Sequence, residues 1–152
     1  MLTLGAQVAR AQRISVGGEE FMDTTGSHVA ACAKAPVVRY YQVAGKYPRS
    51  SNTVLHEAQA FLARQGHAYT GSGYITFRFL IDCEGHRELR TQVLQTDMSY
   101  QRFAFAPALV NELYAFLQTL TAWQVGKAPM PVRYVAYLNF KLHDGKVVAV
   151  SP

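Results

Sequence analysis

The side chains that could do chemistry are few and scattered along the chain. Cys83 and His86 stand close in sequence, a thiol near a base. A nucleophile and its base must meet at hydrogen-bond distance, and a third group must orient the base. No such group can be picked out beside them, so the plainer reading is a turn histidine next to a disulfide cysteine. His28, His56, His67 and His143 occur singly, and His56 and Glu57 point to different faces of a predicted helix. Asp82 and Asp97 are too far apart in sequence to argue a carboxylate dyad. No zinc-protease, serine-hydrolase, phosphate-loop or dinucleotide motif is present. Two cysteines alone make a poor zinc site, because zinc wants four ligands and no His lies at ligand spacing to either. These residues predict neither catalysis nor a metal nor a cofactor.

The remaining candidates are contact residues. Val132 to Leu142 alternates as a strand, with Tyr134, Ala136, Leu138, Phe140 and Leu142 on one face. Arg133, Tyr137, Asn139 and Lys141 lie on the other and are the predicted partner-binding residues. Tyr100, Phe103 and Phe105 crowd a loop before a helix. They either anchor a partner, as exposed aromatics often do, or cap the core, which is the plainer reading.

Positioning these residues takes a strand, a hairpin and a helix. Ile75, Phe77, Phe79 and Ile81 alternate with Thr76, Arg78, Leu80 and Asp82, the signal of a half-buried strand. Glu84-Gly85-His86 is a hairpin turn. Arg87 to Thr96 is the partner strand, with Leu89 and Val93 as its buried positions. Leu109, Leu113, Phe116, Leu117 and Leu120 recur at helical spacing, Pro107 suits the first turn, and the stripe ends near Trp123. Thr53 to Gln65 is a second helix, capped by Asn52 or Thr53 and ended by Gly66. Its stripe is Val54, Leu55, Ala58, Phe61 and Leu62. Val37 to Val43 is β-prone, and Lys146 to Val150 returns as a short strand after His143-Asp144-Gly145. The Leu109–Leu120 stripe against the strand faces predicts an α+β domain, with that helix on one side of an antiparallel sheet of three to four strands.

At 152 residues the chain fits one domain with one real core. Hydrophobic residues at 49% and charged residues at 16% fit a globular protein. No run approaches the roughly 18 apolar residues of a membrane span, so any membrane association is peripheral. The net charge of +5 raises nucleic acid as a partner. The basic residues are dispersed and no binding motif accompanies them, so nucleic acid is not expected. A mildly basic surface still favours acidic partner segments or anionic envelope components.

Residues 1–11 read as the tail of a signal peptide, with Ala9-Arg10-Ala11 as its cleavage site. This predicts a periplasmic or secreted protein. Residues 12–36 read as an irregular lead-in, and 37–152 as the domain. Export permits disulfides. A Cys32–Cys83 bridge would close a loop of about 50 residues, worth about 4 kcal/mol on the chain-entropy view. Two unrelated buried thiols are the alternative.

The order of elements from Phe77 to Phe140 resembles the C-terminal domain of TonB, the periplasmic energy transducer of Gram-negative bacteria. The resemblance lies in a strand, Phe77 to Asp82, then an acidic-Gly turn at Glu84-Gly85, a second strand and a helix over Ala108 to Leu120. Trp123, Gly126-Lys127-Ala128-Pro129 and a strand from Pro131-Val132 to Phe140 complete it. It covers roughly half the chain. No transmembrane helix or Pro-rich spacer accompanies it. The resemblance implies an exported interaction module that binds an envelope protein or an outer-membrane receptor segment by strand addition or surface docking. It implies that the Thr53–Gln65 helix packs beside the second helix, so that two helices are packed on one face of the sheet. It implies that the recruiting edge is the last strand, and it allows a strand-swapped homodimer. A different class of function is a disulfide-stapled secreted domain that binds a small molecule or a cell-wall glycan.

Overall fold

The computed structural model describes residues 13–26 and 29–152. The expected signal-peptide remnant at residues 1–11 lies outside them. In chain order the elements are β1 (Ile14–Val16), β2 (Glu19–Asp23), β3 (Val37–Arg39), α1 (Ser51–Gln65), β4 (Gly73–Ile81), β5 (Arg87–Asp97), α2 (Pro107–Thr119), β6 (Arg133–His143) and β7 (Lys146–Ser151). Short 3-10 turns form at Ala30–Cys32 and Tyr40–Gln42.

The three long strands follow from their alternation. Ile75, Phe77, Phe79 and Ile81 of β4 are buried, as are Tyr134, Ala136, Leu138, Phe140 and Leu142 of β6. β4 lies between β5 and β6, antiparallel to both. The sheet continues outward from β5 through β2 to β1. On the other side, β3 and β7 both pair with β6. Among the described residues the sheet therefore has seven strands rather than three to four, and β3 joins it in parallel. The additional strands are short, and a few residues cannot show a period.

Both helices pack on one face of the sheet. Val54 and Ala58 of α1 and Leu109, Val110, Leu113 and Leu117 of α2 are fully buried in a single core with the β4 and β6 side chains. Phe61 of α1 meets Phe116 of α2, with ring centroids 5.7 Å apart. α1 starts earlier than its stripe suggests, because Ser50 is the cap and its hydroxyl accepts from the Thr53 N–H at 3.1 Å. Gly66 ends it in the left-handed region, as a C-terminal glycine does. Trp123 lies beyond α2, wedged between Tyr47 and Phe79 at centroid distances of 4.9 and 5.1 Å.

Two local readings need correction. Residues 12–36 read as irregular, yet β1 and β2 form a hairpin that joins β5 through Glu20, Phe21 and Asp23. Phe21 and Met22 are both buried although they face opposite sides, so no alternation marks this strand. Leu89 was expected to be buried beside Val93 but is 48% exposed. The register shifts between the Phe79–Thr91 and Ile81–Arg87 pairs, and this bulge breaks the phase that would have turned Leu89 inward.

Candidate functional site

The helices leave the opposite face of the sheet open, and among the described residues no helix covers it. Because side chains alternate, that face carries Tyr74, Thr76, Arg78 and Leu80 from β4, and Val135, Tyr137, Asn139 and Lys141 from β6. Gln92 and Leu94 come from β5, Val37 and Arg39 from β3, and Phe21 from β2. The cross-strand register aligns Tyr137 with Arg78, Arg78 with Gln92, and Gln92 with Phe21. One row therefore crosses four strands.

Three of the four predicted contact residues are placed on this face without a structural partner that consumes them fully. Tyr137 is 40% exposed. Lys141 lies opposite Tyr74. Asn139 accepts from the Thr76 hydroxyl at 2.9 Å and is half-buried. Arg133 is held internally. Its Nε donates to the Ala35 carbonyl and its Nη1 to Glu88 Oε1, each at 3.2 Å.

Two recesses open from the face. The first, of about 290 Å³, has Arg78, Leu80 and Gln92 along β4 and β5, with Phe21 and Arg90 on one side and Val37 and Val135 on the other. The Arg90 guanidinium lies 4.7 Å from the Phe21 ring centroid. The second, of about 360 Å³, lies where β3 and β7 stop short of each other along β6. β3 pairs with Arg133 to Val135 and β7 with Asn139 to His143. Arg133 N–H donates to Pro36 O on this side, and period two then turns the Tyr137 main chain the same way. Among the described residues no strand pairs with Tyr137 there. Tyr40, Lys46, Trp123 and Ser151 line the slot. This edge was expected to be the recruiting strand, and it is closed along most of its length.

One end of the face carries an aromatic platform, of which the sequence marked Tyr100 but not its stacking partner Tyr74. Tyr100 stacks on Tyr74 with centroids 5.2 Å apart and planes 8° from parallel. Tyr100 adopts φ 61°, a left-handed conformation uncommon for a non-glycine residue. The turn holding it is fixed by Asp97, whose Oδ1 accepts from the N–H groups of Ser99 and Gln101. Hydrogen bonding to Tyr74 raises the Tyr100 phenol pKa. Of the loop aromatics, Phe105 does cap the core, whereas Tyr100 is 71% exposed.

The chemically capable residues are occupied elsewhere. Cys32 and Cys83 form a disulfide with Cα atoms 5.5 Å apart. Asp82 is buried, and its Oδ1 closes the hairpin turn by accepting from the N–H groups of Glu84 and His86 at 2.8 and 3.0 Å. A second titratable group, far from the open face, joins α2 to the loop after α1. Glu112 Oε1 accepts from the Tyr69 hydroxyl at 2.8 Å and lies 2.5 Å from His67 Nδ1. Burial, then the Glu112 carboxylate, push the Tyr69 phenol up to about 12. The 45-residue separation of His67 and Glu112 gives no sequence signal for this cluster. Among the described residues, no group of three or more His, Cys, Asp or Glu side chains is arranged to hold a metal. No described helix is long and apolar enough to cross a membrane. Comparison with known families, with curated proteins and with solved structures finds none that matches this chain.

Proposed function

We propose that the chain is an exported protein-interaction module that docks a partner across the open face of its sheet. The carrying observation is that face itself, uncovered and holding Tyr137 and Leu94 at 40% and 43% exposure. Apolar and aromatic side chains left in water on a rigid sheet are the usual anchors of a partner. Surface docking is favoured over strand addition, because β3 and β7 already occupy the edge of β6 except at Tyr137. The disulfide fits an oxidising compartment. The TonB-like order of elements supports a periplasmic or envelope setting, and the partner would be an envelope protein or a receptor segment. This reading needs no catalytic step.

Site-specific photocrosslinking tests it. A photoreactive residue at position 137 should trap a discrete envelope protein, while one at Gln65, on an exposed stretch of α1, should not. Equal trapping at both positions, or none at 137, would remove the open face from the function.

The slot beside Tyr137 supports a second reading, binding of a small molecule. It is bounded by Trp123 and Tyr40 and offers the Lys46 ammonium and the Tyr137 main chain. Trp123 is the single tryptophan, so an occupant should change the intrinsic fluorescence directly. A metabolite or glycan-fragment screen that leaves this signal unmoved would count against it.

A further inference from the structure

We propose that the open face selects an extended acidic segment of its protein partner, whose carboxylates are taken by Arg78 and Arg90. This rests on the docking reading and adds the chemistry of the partner. The basis is an imbalance of charge. Arg39, Arg78, Arg90 and Lys141 belong to this face, and none has a carboxylate within ion-pair distance among the described residues.

Nine of the ten Asp and Glu side chains of the sequence are committed elsewhere. Glu88 holds Arg133, Glu57 holds Arg49, and Glu20 holds Arg13. Asp23, Asp82 and Asp97 accept from backbone N–H groups in turns, and Glu112 faces Tyr69. Glu84 and Asp144 lie beside histidines. Glu19 alone lines the groove that holds Arg78 and Arg90, and it forms no ion pair there. Residues 1–12 contain Arg10 and no acidic residue, so they do not supply the missing charge.

The two arginines are free to act. Arg78 is exposed, and among the described residues its one side-chain hydrogen bond is a long 3.4 Å bond to Gln92 Oε1. Arg90 lies on the Phe21 ring, which holds the guanidinium plane without using its donors. A guanidinium fork matches a carboxylate in two parallel hydrogen bonds. Between and beside these cations lie Phe21, Leu80, Val37 and Val135. A surface that alternates cation with apolar side chain fits a polypeptide that alternates Asp or Glu with apolar residues. A uniformly charged polyanion would meet apolar surface and Glu19 between the cations, which favours it less.

The test is a selection. A random dodecapeptide display library is passed over the immobilised, oxidised full chain and over the R78Q/R90Q double variant. Trp123 emission and thermal midpoint first establish that the variant folds. The expected result is enrichment of peptides with Asp or Glu interleaved with apolar residues, absent on the variant. A fluorescent copy of the leading peptide should bind about tenfold more weakly to either single variant. Its affinity should also fall as salt rises from 50 to 300 mM. Replacing its acidic residues with Gln should abolish binding.

Enriched peptides without an acidic excess, whose binding still shifts the amide signals of Tyr137 and Leu80, would overturn the charge selection and leave face docking intact. No enrichment, or peptides that shift no open-face amide, would overturn both. Tighter binding of a single-stranded oligonucleotide with the same arginine dependence would overturn the acidic peptide in favour of nucleic acid.

Discussion

Arg133 reaches past the end of β4 to place its Nη1 3.2 Å from Glu88 Oε1 on β5. Both side chains are largely buried, Glu88 more so, with 7% of its side chain exposed. A residue that lies on the partner-facing side of β6 thus serves as an internal brace. Removing the arginine leaves a buried carboxylate without its ion partner, which costs more than the pair contributes. R133A should lose about 2 kcal/mol of stability, reduced from the deeply buried case because Arg133 is partly solvated. Urea unfolding followed at Trp123 measures this. R133A combined with E88Q should recover part of the loss, and strict additivity would mean that the pair is not coupled.

The Cys32–Cys83 bridge ties the segment before β3 to the β4–β5 hairpin. Its sequence separation of 51 residues puts the unfolded-state constraint at about 4 kcal/mol. A C32S/C83S variant should fall in stability by up to about that amount. Amide exchange should accelerate first around residues 29–43 and only later in β4. Uniform acceleration throughout would mean that the bridge acts on the whole domain at once.

Tyr134 is fully buried and its hydroxyl donates to the Gln124 carbonyl at 2.5 Å. Burial pushes its phenol up to about 12. Between the unfolded value near 10 and this folded value, the unfolded chain loses the proton while the native chain keeps it. Stability from this group is therefore complete below about pH 10 and declines through pH 12, by about 2 to 3 kcal/mol in all. Y134F should be less stable than the parent near neutrality, through the lost hydrogen bond. It should also show a shallower decline between pH 10 and 12. Parallel curves for the two proteins would exclude Tyr134 as the titrating group.

Gly145 has φ 75°, and a Cβ there would sit 2.0 Å from the Tyr69 carbonyl oxygen. Its N–H donates to Gly71 O at 2.7 Å, which clips the β6–β7 turn to the loop before β4. G145A combines the left-handed penalty with a backbone clash, and should cost about 2 kcal/mol or more. Thermal unfolding checks it. A midpoint within a degree of the parent would show that the loop yields freely.

The sequence was most legible where strands and helices are long. Phe77 to Ile81 and Tyr134 to Leu142 declare their buried face by period two, and Leu109 to Leu117 by helical spacing. The β1–β2 hairpin was hidden because all three residues of β1 are exposed and Phe21 and Met22 are buried on opposite sides. Val37 to Val43 looked like one strand, but Arg39 is the last strand residue, and the chain turns at Tyr40 with Gly45 N–H bonded to Tyr40 O. Of the open face, the β6 half could be read, since Tyr137, Asn139 and Lys141 alternate with buried residues. The Arg78–Arg90 groove could not, because Phe21 and Val37 reach it only through pairings made by short strands. Nor could Arg133's engagement with Glu88, which depends on the β5 bulge.

The covering of β6 by β7 also guards an edge. From Asn139 to His143 the outer ladder of β6 would otherwise stand open to a strand of another copy. β7 takes that ladder with its own main chain and brings Val147 and Val150 into the core. The strand is thus a stopper and a wedge at once. A chain shortened at Gly145 would bare the ladder and open the core beside it.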